Sequence, residues 1–187
     1  EYCPKAAERS SALARLYVAA DGAARVDAGM RLLRECPESA EAAAHVMAIA
    51  DAAEKNGKPM CAWEAFSLAL QIGAGNENAV VTRCVTWADA LAFSPKEVAE
   101  LGTVYVVKQG DFVVSIARRL KVDPGIIQRV NKLKNGGIRA GLRLKVITAK
   151  PTIEVSIRKL SLRVYFNGLL ARQFPICTGN LDESPTP

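Results

Sequence analysis

The first 93 residues place apolar side chains at every third or fourth position, and this pattern predicts about five helices. Gly22, Pro37, Gly57 and Gly73 separate the predicted helices, because glycine and proline commonly mark helix ends. Alanines crowd the apolar faces, so the helix backbones can pack closely. The short connections favour antiparallel hairpins. Either a stack of helical repeats or a plain helical bundle fits this pattern.

Capping residues stand at the predicted helix starts, where they suit the first helical turn. They are Ser39 before the third helix, Pro59 in the fourth, and Asn76 or Asn78 before the fifth. The sequence SPKE at residues 94–97 has the pattern of a capping box, with Ser94 and Glu97 able to exchange hydrogen bonds. It predicts a short connector helix over residues 94–102.

Residues 103–149 combine strand and helix periodicities within a short length. The stretches TVYVVK and LRLKVI predict a strand at each end. FVVSIARRL has apolar residues at helical spacing, and GIIQRV follows Asp123 and Pro124, an N-cap and a first helical position. We therefore expect a strand–helix–helix–strand unit with both helices on one face of a two-stranded sheet.

Residues 152–177 contain three stretches in which apolar and polar residues alternate. The apolar members are Ile153, Val155 and Ile157, then Leu162, Val164 and Phe166, then Leu170, Phe174 and Ile176. Asn167-Gly168 between the second and third stretches favours a type I′ hairpin turn. The pattern predicts three strands, which do not by themselves close a barrel or a sandwich.

These patterns divide the chain into four parts. We expect a helical domain at residues 1–93, the connector helix at 94–102, the α/β unit at 103–149, and a partial β-sheet at 150–187. The predicted fold class is therefore α+β and multidomain, with all-α helical hairpins preceding a βααβ unit and a C-terminal partial sheet.

Charge is concentrated in the α/β unit. Residues 103–150 hold 11 basic and 2 acidic side chains, a net charge of +9, whereas residues 1–102 carry −4. A basic surface attracts nucleic acid, anionic wall polymers or acidic lipid, and an ordinary solvated face has the same composition. Few aromatic residues stand between the basic ones, so nucleic acid is not the expected partner. No apolar stretch approaches the roughly 18 residues of a membrane span, so no transmembrane segment is predicted.

The five cysteines lack the spacing of metal ligands. They are Cys3, Cys36, Cys61, Cys84 and Cys177, and no two form a C-x-x-C pair. His45 is the only histidine, so we predict neither a metal site nor a cofactor. Two disulfides within the helical part, or small buried apolar side chains, are both consistent with the sequence.

Residues 103–147 resemble a LysM domain at several fixed spacings. The residues that match the family pattern are Tyr105, Val106, Val107, Gly110, Asp111, Ser115, Ile116, Ala117, Asn131, Leu133, Ile138, Gly141 and Leu144. The sequence departs from the pattern at Phe112, where the family usually has a threonine that caps the first helix, and at Val113, where it has leucine. We therefore expect the cap to fall to Asp111.

The resemblance implies binding of polymers that contain N-acetylglucosamine, chiefly peptidoglycan or chitin. By position, the implied groove lies between the loops at residues 110–113 and 135–138. The implied binding residues are Gly110, Asp111, Phe112, Val113, Asn135, Gly136, Gly137 and Ile138. Exposed backbone groups in such loops can hydrogen-bond an acetamido group. From the residues alone, the glycines equally serve tight turns, and Phe112 is either a sugar-facing ring or a buried apolar contact.

Residues 152–187 resemble the first strands of an L,D-transpeptidase catalytic domain. The matching residues are Leu162, Val164, Tyr165, Asn167, Gly168, Phe174, Pro175, Ile176, Thr178, Gly179, Ser184, Pro185, Thr186 and Pro187. The family's catalysis uses a cysteine thiolate activated by histidine in a Ser-His-Gly-Cys sequence, which this chain lacks. Cys177 stands where the family has an ordinary strand residue. The resemblance implies the non-catalytic front part of such an enzyme, without catalytic residues of its own.

Together these features predict a wall-binding protein of the periplasm, the cell envelope or the outside of a bacterial cell. The alternative is a non-enzymatic envelope adaptor whose helices bind a protein. Those helices loosely resemble tetratricopeptide-type repeats, in the 35-residue spacing from Gly22 to Gly57 and in GKPMCAWEAFSLAL. Residues 152–187 are expected either to be protease-sensitive or to bind a second copy of the chain, because unpaired sheet edges associate readily.

Overall fold

The computed structural model of this chain describes residues 4–134 and 137–177. Its helices are α1 (Pro4–Ala19), α2 (Gly22–Glu35), α3 (Ala40–Lys55), α4 (Pro59–Gln71), α5 (Glu77–Leu91), α6 (Val113–Leu120) and α7 (Pro124–Val130). Its strands are β1 (Gly102–Val106), β2 (Arg143–Ile147), β3 (Pro151–Ser156), β4 (Ser161–Phe166) and β5 (Leu169–Pro175). The chain divides into two compact units between Trp87 and Ala88, within α5. The predicted α+β class is confirmed.

The helices of the first unit pack in chain order. α1 packs on α2, α2 on α3 and α3 on α4, and further contacts join α1 to α3 and α2 to α4. The fully buried side chains of this unit include Tyr17, Val26, Leu32, Ile49, Trp63 and Phe66. The helices begin at the predicted caps: Ser39 Oγ accepts from the Ala42 amide at 3.1 Å, and Asn76 Oδ1 accepts from the Ala79 amide at 3.1 Å.

Two glycines with left-handed backbone lie at the junctions of the two helical hairpins. Gly22 has a φ of +54° at the junction of α1 and α2, and Gly57 has a φ of +63° at the junction of α3 and α4. Left-handed backbone of this kind favours glycine, which explains the residue type at both junctions. The two glycines differ in their places, since Gly22 is the first residue of α2 and Gly57 precedes α4 by two residues.

The predicted βααβ unit is present. β1 and β2 pair antiparallel, from Gly102 opposite Ile147 to Val106 opposite Arg143. α6 and α7 lie between the two strands in the chain and share one core with them. That core contains Val107, Val113, Ile116, Ala117, Ile127, Leu144 and Val146. Seven buried apolar side chains, from α6, α7, β2 and the residue that follows β1, give this small fold its hydrophobic centre.

The connector helix predicted over residues 94–102 is wrong, because that segment forms turns and bends before β1 begins. The Ser94 hydroxyl donates back to the Ala90 carbonyl at 2.5 Å, so it closes α5 instead of opening a new helix. The Glu97 carboxylate accepts from the guanidinium of Arg143 at 2.8 Å. The capping box does not form, because the Ser94 hydroxyl faces the Ala90 carbonyl and the Lys96 amide and the Glu97 carboxylate faces Arg143.

The C-terminal segment forms an antiparallel sheet in the order β3–β4–β5. Asn167 and Gly168 have φ values of +50° and +80°, as a type I′ turn requires, so the predicted hairpin is confirmed. The register shifts between Val164 and Tyr165, where Ala171 is the extra residue of a β-bulge on β5.

Cys36, Cys61, Cys84 and Cys177 are all free, so the expectation of two disulfides is not met among the described residues. Cys84 is buried and lies 3.8 Å from the Ser67 hydroxyl, as the alternative of a small buried side chain predicts. Cys3 lies outside the described residues. Within residues 4–134 and 137–177, no helix has the length and apolar character needed to cross a membrane.

Candidate functional site: the loops of the βααβ unit

Three side chains close a hydrogen-bonded ring at the base of the first predicted loop. The Tyr105 hydroxyl donates to Asp111 Oδ2 at 2.7 Å. Arg119 Nη2 donates to the Tyr105 hydroxyl at 2.8 Å and to Asp111 Oδ1 at 3.0 Å. The guanidinium carbon of Arg119 also lies 5.1 Å from the centroid of the Tyr105 ring. The ring therefore joins β1, the first loop and α6.

The charge states in this ring follow from its hydrogen bonds. Bonds donated by the Lys108 amide, by Tyr105 and by Arg119 hold the pKa of Asp111 below its usual value. The bond to Asp111 raises the pKa of Tyr105. At neutral pH the ring thus contains a carboxylate, a neutral phenol and a guanidinium, with each donor facing an acceptor.

The expectation that Asp111 caps the first helix is wrong. Its carboxylate accepts from the Lys108 amide at 2.8 Å, which closes the turn before the helix. The helix start is held by Ser115 instead: its Oγ accepts from the Phe112 amide at 3.1 Å and donates to the Phe112 carbonyl at 2.8 Å. Asp111 is unavailable as a cap because Tyr105 and Arg119 already hold its two oxygens.

The predicted residues of the first loop lie in different environments. Gly110 is exposed with a φ of +81°, so it serves the turn, and its added Cβ would meet nothing within 4 Å. The Phe112 side chain is 71% exposed, which excludes the buried alternative. Val113 belongs to the buried core, so only its backbone lies near the surface. Phe112 is thus the large apolar side chain that this loop presents to solvent.

The second predicted loop is described only in part. Asn135 and Gly136 lie outside the described residues. Gly137 is exposed, and Ile138 packs against the core that contains Val113. The residues that follow this second loop are hydrogen-bonded to the residue that follows β1, ahead of the first loop. Val107 donates to the Leu142 carbonyl at 2.9 Å and accepts from the Gly141 amide at 2.8 Å.

Asn131 and Lys145 form a second polar cluster that the sequence did not reveal. Asn131 Nδ2 donates to the carbonyls of Ile127 and Lys145, both at 2.8 Å, and its Oδ1 accepts from the Lys145 amide at 2.8 Å. The asparagine that matches the family pattern therefore fastens the end of α7 to β2.

The Lys145 side chain is buried on the face of the two-stranded sheet that points away from Leu144 and Val146. Its ammonium donates to the Leu91 carbonyl and, at 3.1 Å, to the Ser94 carbonyl. Burial lowers the pKa of Lys145 to about 8. A cavity of about 390 Å³ opens beside it, lined also by Glu97 and Gly102. This cavity lies apart from the two predicted loops, and the bonds of Lys145 commit its cation to the neighbouring backbone.

Arg119 is the main residue of the candidate site that sequence reasoning missed. The sequence does not distinguish Arg119 from Arg118 beside it, because both are arginines at positions typical of an exposed helix face. Among the described residues, no group of three or more His, Cys, Asp or Glu side chains could hold a metal ion. The candidate site therefore consists of loop backbone, one exposed aromatic ring and a polar base.

Comparison with protein families identifies one segment of the chain. The family model of the LysM domain matches residues 105–146. No curated protein and no solved structure matches the chain. The βααβ unit is thus a LysM domain, and this match supports binding of a peptidoglycan- or chitin-type glycan. LysM domains occur in cell-envelope or extracellular proteins.

Proposed function

We propose that this chain binds peptidoglycan through the two loops of its LysM domain, with Phe112 as the ring on which a sugar stacks. The exposure of Phe112 carries the proposal. A phenyl ring left in water forgoes about 1.5–3 kcal/mol of burial, and a bound sugar would recover part of it. Gly110 and Gly137 are exposed, and their backbone carbonyls are acceptors for the N–H of an acetamido substituent.

The charge of the LysM segment supports an anionic wall polymer as the natural target. Its two acids are both engaged, Asp111 by Arg119 and Asp123 by the Ile126 amide at 3.1 Å. The remaining basic excess has no acidic counterpart within the segment. Retention on whole peptidoglycan sacculi should therefore fall between 0.1 M and 1 M salt, where the Debye length shrinks from about 10 Å to about 3 Å. Binding of neutral chito-oligomers should not fall.

The direct test is a titration of the full chain with chito-oligomers, followed by backbone amide shifts. We expect shifts to cluster at residues 110–113 and 135–138, with a modest affinity of about 4–7 kcal/mol. Phe112→Ala should weaken binding, whereas Val114→Ala, at a neighbouring exposed position, should not. Shifts confined to the first unit, or no shifts at millimolar ligand, would exclude this function.

A more specific proposal is that the protein to which this chain belongs is an L,D-transpeptidase, which cross-links the bacterial cell wall from the periplasm or the outer cell surface. Its support is the resemblance of residues 152–187 and the hairpin turn at Asn167 and Gly168. A direct test is to determine the gene sequence beyond the codon for Pro187. A Ser-His-Gly-Cys sequence there would support the proposal, and its absence from the full gene would contradict it.

An envelope adaptor is the second candidate, and the packing of the helices favours it. Contacts between next-but-one helices, together with the left-handed glycines at the Gly22 and Gly57 junctions, suit a tetratricopeptide-type stack that binds a protein. A tagged residue 1–93 fragment would first need to fold, as judged by circular dichroism. If it then captures a defined envelope protein, and the LysM-bearing remainder does not, the adaptor function is supported.

The C-terminal sheet supplies a proposed contact between copies of the chain. Ile153, Val155 and Phe174 expose about half of their side chains or more, on a sheet whose outer strands are β3 and β5. Such a surface favours either self-association or protease sensitivity.

A further inference from the structure

The polar ring beneath the first loop contributes little to stability by its ion pair alone. Arg119 is 49% exposed and Asp111 is 13% exposed as a side chain, and their closest atoms lie 3.0 Å apart. A partly exposed pair of this kind contributes little to stability. The geometric effect of the ring is larger, because its three members come from β1, the loop and α6.

The ring fixes the chain on one side of Phe112. Asp111 is held by the Tyr105 hydroxyl, by Arg119 and by the Lys108 amide, so both of its oxygens are occupied. Arg119 is the member that ties this carboxylate to α6. Removing its guanidinium would leave the Asp111 carboxylate bonded to Tyr105 and to the Lys108 amide but not to α6.

Ser115 fixes the chain on the other side. Its hydroxyl bonds to both the amide and the carbonyl of Phe112, which sets the backbone angles of that residue. The exposed ring of Phe112 thus extends from a backbone held before and after it. An exposed side chain on a fixed backbone loses less conformational freedom when a ligand binds.

We propose that Arg119 is a positioning residue for glycan binding, which holds the first loop so that the ring of Phe112 is arranged before the sugar arrives. This inference rests on the proposed glycan-binding function. Arg119 acts through Asp111 and Tyr105 and need not touch the sugar itself.

Arg119→Gln and Arg118→Gln form a matched pair for the test. Both remove one positive charge from adjacent positions of α6, and only Arg119 joins the ring. The ligand is a neutral chito-oligomer, so the lost charge has no direct electrostatic effect on binding. We expect Arg119→Gln to weaken binding about threefold to tenfold and Arg118→Gln to leave it unchanged.

Two further readouts separate positioning from general destabilisation. The Lys108 and Phe112 amides should exchange faster with solvent in Arg119→Gln, while the core amides of Ile116 and Leu144 keep their protection. The pKa of the Asp111 carboxyl, followed by NMR, should rise in Arg119→Gln and stay unchanged in Arg118→Gln, because only the first substitution removes a donor.

The outcomes distinguish this inference from the function on which it rests. If the unaltered chain binds chito-oligomers and both variants bind equally well, the positioning role of Arg119 is overturned and the glycan-binding function stands. If the unaltered chain does not bind at all, the proposed function fails, and the inference fails with it. Weaker binding by Arg119→Gln, with a loosened loop and an intact core, supports the inference.

Discussion

The two β-sheets of the second unit are both small and antiparallel, and they treat their apolar side chains differently. In the β1–β2 sheet, Leu144 and Val146 point into the core shared with α6 and α7, and the opposite face buries Lys145. In the β3–β4–β5 sheet, Ile153 and Val155 are 62% and 56% exposed.

The contrast extends to polar side chains in the second sheet. Arg163 is buried between its strand partners Glu154 and Gln173, and its Nε donates to Gln173 Oε1 at 2.7 Å. The Tyr165 hydroxyl donates to Glu154 Oε2 at 3.0 Å on the same side. The sheet therefore buries Arg163 and Tyr165 together with Phe166 and Leu170, while it leaves Ile153 and Val155 of its outer strand exposed. A fold with a complete buried core and a sheet with exposed apolar side chains on an outer strand should respond differently to substitution.

The largest expected difference is between two isoleucines. Ile116→Ala removes a fully buried side chain of the LysM core and should cost about 2–5 kcal/mol. Ile153→Ala should cost about 0.5 kcal/mol or less, because the side chain is mostly in water. Native-state hydrogen exchange of the β1–β2 amides measures the first effect, and exchange of the β3–β4 amides measures the second. Equal losses of protection would show that the second sheet has a core of its own.

A second pair of substitutions tests how closely the strand backbones approach. A Cβ added at Gly102 would lie 2.0 Å from the Val146 carbonyl oxygen, so Gly102→Ala forces the two strands apart and should cost about 1–3 kcal/mol. Gly168→Ala meets nothing within 4 Å and should cost about 1 kcal/mol, from its positive φ alone.

Asparagine serves as the control for this pair, because it tolerates the left-handed backbone of a turn. Gly168→Asn should regain most of the stability that Gly168→Ala loses, whereas Gly102→Asn should be no better than Gly102→Ala. Hydrogen exchange at increasing temperature would measure the stability of all four variants. A Gly102→Ala chain as stable as the parent would contradict the close approach.

The sequence predicted the parts of the fold whose cause is local. Periodicity predicted the helices and strands, Ser39 predicted its own cap, and Asn167-Gly168 predicted its turn, because each depends on neighbouring residues. The connector helix failed because Glu97 binds Arg143, which is 46 positions away.

The candidate site shows the same limit. The exposure of Phe112 and the burial of Val113 depend on packing that a linear pattern does not encode. Arg119 could not be told from Arg118, since only the folded chain brings it to Asp111 and Tyr105. Contacts between residues distant in sequence therefore determine the features of the site that the local pattern does not predict.

The third prediction uses the buried cation of each sheet. The folded pKa of Lys145, about 8, lies below its unfolded value of 10.5, so the unfolded chain binds more protons between these values. Stability should therefore rise with pH in that window, by about 1 kcal/mol from pH 8 to pH 9. The neutral amine keeps two N–H donors for the Leu91 and Ser94 carbonyls.

Lys145→Met should lose this rise, and Arg163→Met should retain it, because arginine stays protonated throughout. Urea midpoints between pH 8 and pH 9.5 would measure the effect. The upper limit keeps Tyr165 of the second sheet out of the comparison, since burial, with a bond to Glu154, raises the pKa of Tyr165. The same slope in all three proteins would show that Lys145 is not the source.

The smallest expected effect on stability tests the exposed apolar face. Ile153→Thr combined with Val155→Thr keeps β-branched side chains on β3 and should change the stability of a single chain by about 0.5 kcal/mol or less. The same double substitution should strongly reduce self-association, measured by light scattering across a concentration series, because it removes the apolar surface that would join two copies. Ile157→Thr, just beyond the end of β3 and 66% exposed, is the control and should associate like the unaltered chain.

If the unaltered chain is instead monomeric, the exposed face should leave residues 152–177 open to limited proteolysis. A monomeric parent whose second sheet resists protease would show that this sheet is stable without a partner, and the contrast between the two sheets would then lie in exposure alone.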